Sequence, residues 1–524
     1  MKPFVFPKFV LAGSRLLGLL WLALTAGCSS YEEETLKMTA ALRGGDFGKA
    51  VGVATKNLSN AAEVDRLLWQ LELGATQRAI GAFAASAAAF DGALEMVALW
   101  DTKPDVLLSR EALSALNNMS SLPYRGTSYD RILLSTYQAL NYLALAQYDQ
   151  ARVALNLALQ RQVEAVEANA RRIERAQEEA ARSGAKGGDK KSYDARKTLE
   201  SKQFRGEMDS NYAETRQMRA YADYVNPFSV WLHGVFFMTH AADNGDVERA
   251  YKSLERVAQM VPDNPTVQAD YAQITERRQA GAQAVVSFEP VTYVIFETGL
   301  APVRQEIKIN VPLFIATSKV PYVGAAFPKL VFSRSRPAEL SIRAGAKNAP
   351  VLAQPIVSMD SVIATDFDNA LPEIATRTLV STLTKAALSY AINETADQAM
   401  RKNDGGAGLL VWLLSRIGTA TYSYATTAAD LRTWHSLPQE IHIARVPTPA
   451  DRVLRLTLKP SSGEHKVHLP EGTVNVVHVR SIAPGHPPVI SLFVLKPYHH
   501  ENGLTMRQEK CLRHGSLLSP TRFE

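Results

Sequence analysis

The chain has little cysteine and lacks the sequence motifs of the common enzyme classes. Two cysteines among 524 residues, Cys28 and Cys511, allow at most one disulfide, so no disulfide framework can hold the fold together. The sequence contains no GxxxxGKS/T phosphate loop, no GxSxG nucleophile turn, no HExxH metal helix and no GxGxxG turn after a strand. Any catalysis would have to rest on scattered residues, and we expect neither an enzyme nor a cofactor.

The C-terminal tail contains donor types that bind zinc. They are His499, His500, Cys511 and His514, but their spacing matches no tight zinc pattern. They follow the last predicted strand in a stretch rich in proline and arginine. We therefore expect an exposed, unstructured tail without a metal.

A second group of chemically able residues lies between 430 and 438. Asp430, His435 and Ser436 are close in sequence, but neighbours in sequence do not make a catalytic triad. A loop anchored by Trp434 that leads into a strand at Glu440 explains the same residues without catalysis.

An excess of charge of one sign is also missing. The formal charge is +6, and residues 1–27 contribute three of these positive charges and no acidic residue, so the rest of the chain carries +3. Such a weak imbalance gives no reason to expect nucleic acid as a partner.

The N-terminus has the anatomy of a secretory signal. Lys2, Lys8 and Arg15 precede the apolar run 16–24, which leads through small residues to a cysteine in Leu-Thr-Ala-Gly-Cys at 24–28. The apolar run is too short to span a bilayer core of about 30 Å as a permanent helix. An ordinary signal peptide and a buried N-terminal helix are the alternatives.

This segment resembles lipoprotein signals. The resemblance implies that Cys28 becomes the first residue of the mature protein and carries fatty acyl chains such as palmitate. Ser29 follows, where aspartate would be the usual signal for retention in the inner membrane of enteric-type bacteria. We therefore expect an outer-membrane lipoprotein that faces the periplasm.

The length predicts more than one domain, because a single hydrophobic core stops growing at about 250–300 residues. We divide the chain into a signal peptide (1–27), a helical domain (28–282), an α+β domain (285–496) and the tail (497–524). The fold class is thus multi-domain: all-α first, then α+β.

Alanine-rich segments with helical spacing fill the first half, and several resemble the tetratricopeptide repeat. In that repeat, a small residue lets two helices approach while a large one fills the groove beside it. The predicted repeat-packing residues are Gly74, Phe90, Ala93, Tyr142, Tyr148, Ala151, Ala158, Gly245, Ala250, Leu254 and Pro262, with a half-unit at Gly45, Phe47 and Ala50. Their irregular spacing predicts a degenerate solenoid, with a non-repeating helical bundle as the alternative.

The stretch 160–220 is highly charged, and its oppositely charged residues three and four apart are typical of a solvated helix. We predict a projecting helical arm with a flexible tip at 183–188. After it, Asn226 and Pro227 are placed to cap and begin a helix.

The second half is rich in β-branched residues and is broken by prolines. A helical insert is expected at about 371–430, between two groups of strands. The predicted strands are 291–296, 307–311, 329–332, 440–445, 453–458, 474–480 and 489–495. Within the insert, 407–420 is apolar nearly all round and predicts a helix buried in protein or in lipid. Arg416 in its middle favours a core helix.

Six motifs occur in order along both halves of the chain, at 129–134, 137–143, 226–228, 299–303, 430–438 and 444–445. Together they resemble a family of bacterial envelope lipoproteins of unknown function with tetratricopeptide-like repeats. The resemblance extends to about Pro488 and supplies no catalytic residues. Members of the family are often encoded beside lipoproteins that activate penicillin-binding proteins, which implies a link to cell-wall synthesis.

We therefore expect a lipid-anchored scaffold that binds envelope proteins through its helical repeats. The alternatives are a structural or secretion accessory of an outer-membrane or surface assembly, in which the strands join that assembly, and a cell-wall hydrolase. No small-molecule substrate is expected for the scaffold.

Overall fold

A computed structural model gives the fold of most of the chain. It describes residues 31–102, 120, 122–185, 195–221, 224–280, 289–312, 322–334, 338–345, 348–402, 428–460, 463–483 and 485–498. The first half of this part is helical, and the second half contains mixed sheets with a long helix between their strands. The predicted order, helices first and then an α+β region, is confirmed.

The described residues of the first half form eleven helices. They are α1 (Tyr31–Arg43), α2 (Phe47–Asn60), α3 (Arg66–Ala79), α4 (Phe83–Thr102), α5 (Ser128–Ala144), α6 (Tyr148–Ala185), α7 (Ala195–Glu200), α8 (Lys202–Gln217), α9 (Pro227–Thr239), α10 (Asn244–Met260) and α11 (Pro265–Ala280).

Polar side chains define several of the helix starts. The Asp46 carboxylate accepts a hydrogen bond from the Lys49 backbone N–H at the start of α2. At α9 the predicted cap is present: Asn226 accepts from the Ser229 N–H, and Pro227 occupies the first turn. Each cap satisfies a backbone donor that the helix leaves unpaired.

Neighbouring helices pack on one another in chain order. Each of the helices from α1 to α6 contacts the next, and α9, α10 and α11 do the same. Contacts between consecutive helices are typical of helical hairpins.

The described residues of the second half form three sheets. The strands are β1 (Val291–Thr298), β2 (Val303–Pro312), β3 (Tyr322–Val331), β4 (Glu339–Ala344), β5 (Val351–Leu352), β6 (Gln354–Ser358), β7 (Glu440–Pro447), β8 (Val453–Lys459), β9 (Glu464–His468), β10 (Val474–Ser481) and β11 (Val489–Lys496). All seven predicted strands are present. Sequence analysis missed β4, β5, β6 and β9, which are short.

The main sheet has the strand order β11-β10-β1-β7-β6. β1 and β10 run parallel, so that Glu297 lies opposite Arg480, whereas β1 and β7 are antiparallel. Every residue of the two neighbouring strands β1 and β10 is buried, so both faces of the sheet are covered at these strands.

One face of the main sheet packs on a second sheet, ordered β5-β4-β8-β9. In β8, Leu454, Leu456 and Leu458 are buried while Arg455 and Thr457 are partly exposed. This is the predicted alternation. β2 and β3 form a separate antiparallel pair that contacts α8.

The other face of the main sheet packs on the helices. Val291, Tyr293 and Ile295 of β1 belong to the same buried cluster as Tyr137 of α5 and Trp231 of α9. The helical half and the main sheet therefore share one continuous hydrophobic core.

The helix of the insert begins earlier than predicted. α12 (Met359–Lys402) starts directly after β6, where the Ser358 hydroxyl accepts from the Ser361 N–H. It continues through Pro372. A proline usually ends or kinks a helix, which makes it a misleading boundary in the sequence.

The charged helix α6 lies against α12. Arg172 on α6 is 3.8 Å from the carboxylate of Glu373, and α8 contacts α12 as well. The predicted arm is thus packed along this part of its length. The apolar stretch 407–420 and the residues 186–188 of the predicted tip lie outside the described residues.

Candidate functional site

The densest group of buried charges lies where α3 meets the main sheet. Arg78 on α3 donates two hydrogen bonds of 2.7 Å to the carboxylate oxygens of Glu297 on β1. Both side chains are buried, with 3% and 0% of their surface exposed. Such a bidentate ion pair fixes the orientation of α3 relative to β1 as well as the distance between them.

Strand β10 completes this group. Nε2 of His478 lies 3.0 Å from an Arg78 guanidinium nitrogen, and Nε of Arg480 lies 3.9 Å from the Glu297 carboxylate. The Arg78 guanidinium stands 3.9 Å above the centre of the Tyr137 ring, a cation–π distance. We name Arg78, Tyr137, Glu297, His478 and Arg480 the junction cluster.

The electrostatics of the junction cluster favour one ionised carboxylate between two guanidinium groups. Burial opposes the charge of Glu297, but Arg78 and His478 outweigh burial and hold the pKa of Glu297 well below its usual range. Burial lowers the pKa of Arg480 to about 10, so this arginine still carries its charge at neutral pH. Burial also lowers the pKa of His478, and the Glu297 carboxylate opposes that shift.

A second buried carboxylate joins α3 to the loop before β7. Glu72 accepts hydrogen bonds from the backbone N–H groups of His435 (2.6 Å) and Ser436 (3.1 Å). It also accepts from the Tyr31 hydroxyl of α1, at 3.0 Å. Three donors on one carboxylate tie α1, α3 and the loop together.

That loop has the Trp-anchored form and not the geometry of a triad. Trp434 is fully buried, and its indole N–H donates to the Ser436 hydroxyl at 3.0 Å. Asp430 pairs with Arg432 at 2.7 Å, and His435 uses its backbone to bind Glu72. The three residues that resembled a triad in sequence each serve a different structural contact.

A third junction joins α9 and α11 to the sheet. Asp270 on α11 accepts from the Trp231 indole at 2.9 Å, from the Tyr293 hydroxyl at 2.6 Å and from Arg445 at 2.9 Å. Burial raises the pKa of Asp270, and Arg445 opposes that rise. Helix and strand are again held by a carboxylate with several donors.

The first group of predicted repeat-packing residues lies between α3 and α4. A Cβ atom on Gly74 would stand 2.3 Å from the Phe90 ring, so only glycine permits this approach. Phe90 and Ala93 are fully buried. The Ser86 hydroxyl also donates to the Gly74 carbonyl at 2.7 Å, which brings the two backbones together.

The second group lies on α5 and α6. Ala151 and Ala158 are fully buried on α6. The Tyr142 hydroxyl donates to the Asp91 carboxylate of α4 at 2.8 Å. Tyr148 packs against His240, with 4.5 Å between ring centres.

The third group lies around α10. Ala250 and Leu254 are fully buried, whereas Pro262 is exposed in the turn before α11. Gly245 lies in the first turn of α10, next to Asp243. Sequence analysis missed the residue that gives Leu254 its space: a Cβ on Gly234 of α9 would stand 2.6 Å from the Leu254 side chain.

The lipidation site and the tail fall outside this structure. Cys28, His499, His500, Cys511 and His514 lie outside the described residues. Within the described ranges, no group of three or more His, Cys, Asp or Glu side chains could hold a metal ion.

Two cavities between described residues are small. One, lined by Tyr129, Asn226 and Asp366, has about 10 Å³ of free volume. The other has about 10 Å³ as well and is lined by Trp231, Tyr293 and Phe493. Each holds about one water molecule, which is too little for a substrate.

One described helix, α4, is long and apolar enough to cross a membrane by length and composition alone. A third of that stretch is buried, and Phe90 on it packs against Trp434. Core helices of soluble proteins pass the same test, so the finding carries little weight.

No protein-family model, no curated protein and no solved structure matches this chain.

Sequence analysis did not identify the junction cluster. Its signal was present, because Glu297, His478 and Arg480 are charged or titratable residues inside strands that are rich in β-branched residues. Charged groups are rarely fully buried unless they are paired. Such residues in a buried strand therefore indicate partners on another element, although the sequence does not say which.

Proposed function

We propose that this protein is a lipid-anchored scaffold of the bacterial outer membrane, which faces the periplasm and binds other envelope proteins through its helices. One observation carries the proposal. The signal-like segment ends in Leu-Thr-Ala-Gly-Cys at 24–28. Cleavage before Cys28 would leave every described element in the mature protein.

We propose a binding role without catalysis or a cofactor. Glu72, Asp270 and Glu297 each accept from groups that join helices to the sheet or its loops. Catalytic groups need an accessible site with room for a reactant, and these carboxylates are fully buried.

We further propose that the helical hairpins form a degenerate tetratricopeptide-like array. Support comes from the contacts in chain order and from the two close approaches, Gly74 to Phe90 and Gly234 to Leu254. The main sheet covers one face of these helices. A partner therefore has to bind an outward face, and α6 exposes Val153 and Val163 there, at 67% and 62%.

Site-specific crosslinking in intact cells tests this binding surface. A photoreactive amino acid replaces Val153 or Val163 on α6, and matched positions Val351 or Leu352 on β5, which are 41% and 46% exposed, serve as controls. We expect the α6 positions to capture the same envelope protein, and Val163→Glu to reduce its capture from Val153. Capture confined to the β5 positions would instead favour the structural or secretion accessory.

The lipid anchor has a separate test. Cys28→Ser should abolish acyl labelling and signal cleavage and leave a larger precursor, because the acylated residue is lost. A Cys28→Ser protein that keeps the size, acyl label and fractionation of the wild type contradicts the lipoprotein proposal. Cys511→Ser is the matched control and should behave as the wild type.

The link to cell-wall synthesis rests on the resemblance to envelope lipoproteins with tetratricopeptide-like repeats and stays a prediction. It leads us to expect that the protein captured at α6 is a peptidoglycan synthase or its activator. Capture of a secretion component at the same positions would contradict the link to cell-wall synthesis, but it would still agree with the proposal that the protein is a scaffold.

A further inference from the structure

We infer that the folded body lies directly on the lipid surface, with the first turn of α1 at the headgroups. This inference rests on the proposed acylation of Cys28. It specifies where the membrane contacts the protein, which the presence of an anchor alone does not.

The first step is that Tyr31 is a fixed point of the fold. Its side chain is 5% exposed. Its hydroxyl lies 3.0 Å from the Glu72 carboxylate and 2.8 Å from the Thr433 carbonyl, and it can donate to either. Its ring also packs edge-on against Trp69 at 5.1 Å. The folded body therefore holds the chain firmly from residue 31 onward.

The second step is the length of the tether. Only Ser29 and Ser30 separate Cys28 from Tyr31. Three residue steps of a fully extended chain span at most about 11 Å. An acylated Cys28 has its fatty chains in the hydrocarbon, so Tyr31 cannot lie farther than this from the interface.

The third step compares that reach with the size of a helix. A helix with its side chains is about 10–12 Å across, so another protein layer cannot fit between the bilayer and the start of α1. The short tether therefore keeps the start of α1 next to the lipid surface.

The surface of α1 suits a largely zwitterionic bilayer. Leu36, one turn into the helix, is 66% exposed and can enter the interface. Glu33 and Glu34 would be repelled by anionic headgroups, but Lys37 lies 3.7 Å and 2.6 Å from their carboxylates and offsets part of that charge. The contact therefore depends on the short tether and Leu36 more than on charge.

The test measures the distance between the first turn of α1 and the headgroups. The acylated full-length mature protein carries a fluorescent amino acid in place of Glu33, which is exposed. It is placed in phosphatidylethanolamine vesicles with a minor fraction of phosphatidylglycerol and a lipid spin-labelled at its headgroup. The matched probe replaces Lys466, an exposed residue on β9, in the sheet on the far side of the main sheet from the helices.

We expect the spin label to remove about half of the fluorescence at position 33, because the tether keeps Tyr31, two residues before it, within about 11 Å of the interface, and much less at position 466. A Gly-Ser linker of about 20 residues after Ser30 reaches about 25 Å and should lower quenching at 33 to the level at 466. Equal quenching at 33 and 466 without the linker would overturn the inference.

The mass of the N-terminal peptide separates this inference from the proposed function. An unmodified Cys28 in protein from native membranes contradicts the lipoprotein proposal. The position of the body is then still measured on Cys511→Ser protein whose Cys28 is coupled to a maleimide lipid. An acylated protein with an unquenched probe at 33 contradicts only the membrane contact.

Discussion

Replacing Glu297 with Gln tests whether the junction cluster holds the helices to the sheet. The substitution keeps the size of the side chain and removes its charge. It leaves Arg78 and Arg480 as two guanidinium groups with almost no exposed surface. Their mutual repulsion and their desolvation are then no longer offset.

The size of the effect follows from that burial. Removing one partner of a buried ion pair costs about 3–5 kcal/mol, because the remaining charge stays out of water. Native domains are stable by about 5–15 kcal/mol. We therefore expect Glu297→Gln to lower the free energy of unfolding by about a third of a typical total.

Equilibrium urea unfolding, followed by circular dichroism and tryptophan fluorescence, measures this difference. Glu440→Gln on β7 is the matched control, since that carboxylate accepts from His442 and is 27% exposed. We expect the control to cost about 1 kcal/mol or less, as is usual for partly exposed pairs. Glu297→Gln with no greater cost than Glu440→Gln would refute the role of the junction cluster.

The pH dependence gives a second check. The pKa of Glu297 is lowered in the folded state, so its contribution is complete above the unfolded-state pKa of about 4.3. It is lost only as the pH falls from there toward the folded-state pKa. The difference between wild type and Glu297→Gln should therefore be constant between about pH 5 and pH 8 and shrink in stronger acid.

Two further predictions concern packing and a buried histidine. Gly74→Ala should destabilise the protein by about 1–3 kcal/mol through overpacking, because the added Cβ would lie 2.3 Å from the Phe90 ring. Gly206→Ala on α8 is the control: its Cβ would meet nothing within 4 Å, so it should stabilise the protein by about 0.4–1 kcal/mol. Thermal unfolding of both variants measures the two changes in stability. Burial lowers the pKa of His233 to about 4 in the folded protein, whereas an unfolded histidine has a pKa of about 6.5. As the pH falls between these two values, His233 is protonated in the unfolded chain before it is protonated in the folded one, so the stability should decrease. His233→Gln should flatten this part of the stability profile in urea titrations, and an unchanged slope would show that His233 does not titrate as proposed.

Local sequence patterns predicted much of the secondary structure. The strands β1, β7, β8, β10 and β11 followed from β-branched runs, since their periodicity and turn residues are local properties. The same holds for the cap of α9 at Asn226 and Pro227. Short strands such as β5 were missed because two residues carry too little pattern.

The junction cluster could not be predicted from local sequence patterns. Arg78 and Glu297 are 219 residues apart, and the local sequence around neither residue predicts that the two side chains pair. Glu72 likewise accepts a hydrogen bond from the His435 backbone N–H, in the loop around Trp434, although the two residues are 363 positions apart. Sequence analysis identified neither Glu297 nor Arg480 as a candidate, because their pairing depends on contacts that form only in the fold.

Local sequence patterns predict the helical first half, the longer strands of the second half and the small residue at 74 that lets two helices approach, because each depends on neighbours within a few turns or a few residues. The packing of the main sheet on the helices, with which it shares a core, follows only from the tertiary structure. The tertiary structure also placed the carboxylates of Glu72, Asp270 and Glu297 at the junctions. Burial and charge pairing between distant segments are properties of the assembled chain, since the cost of leaving water is offset only once the partners have met.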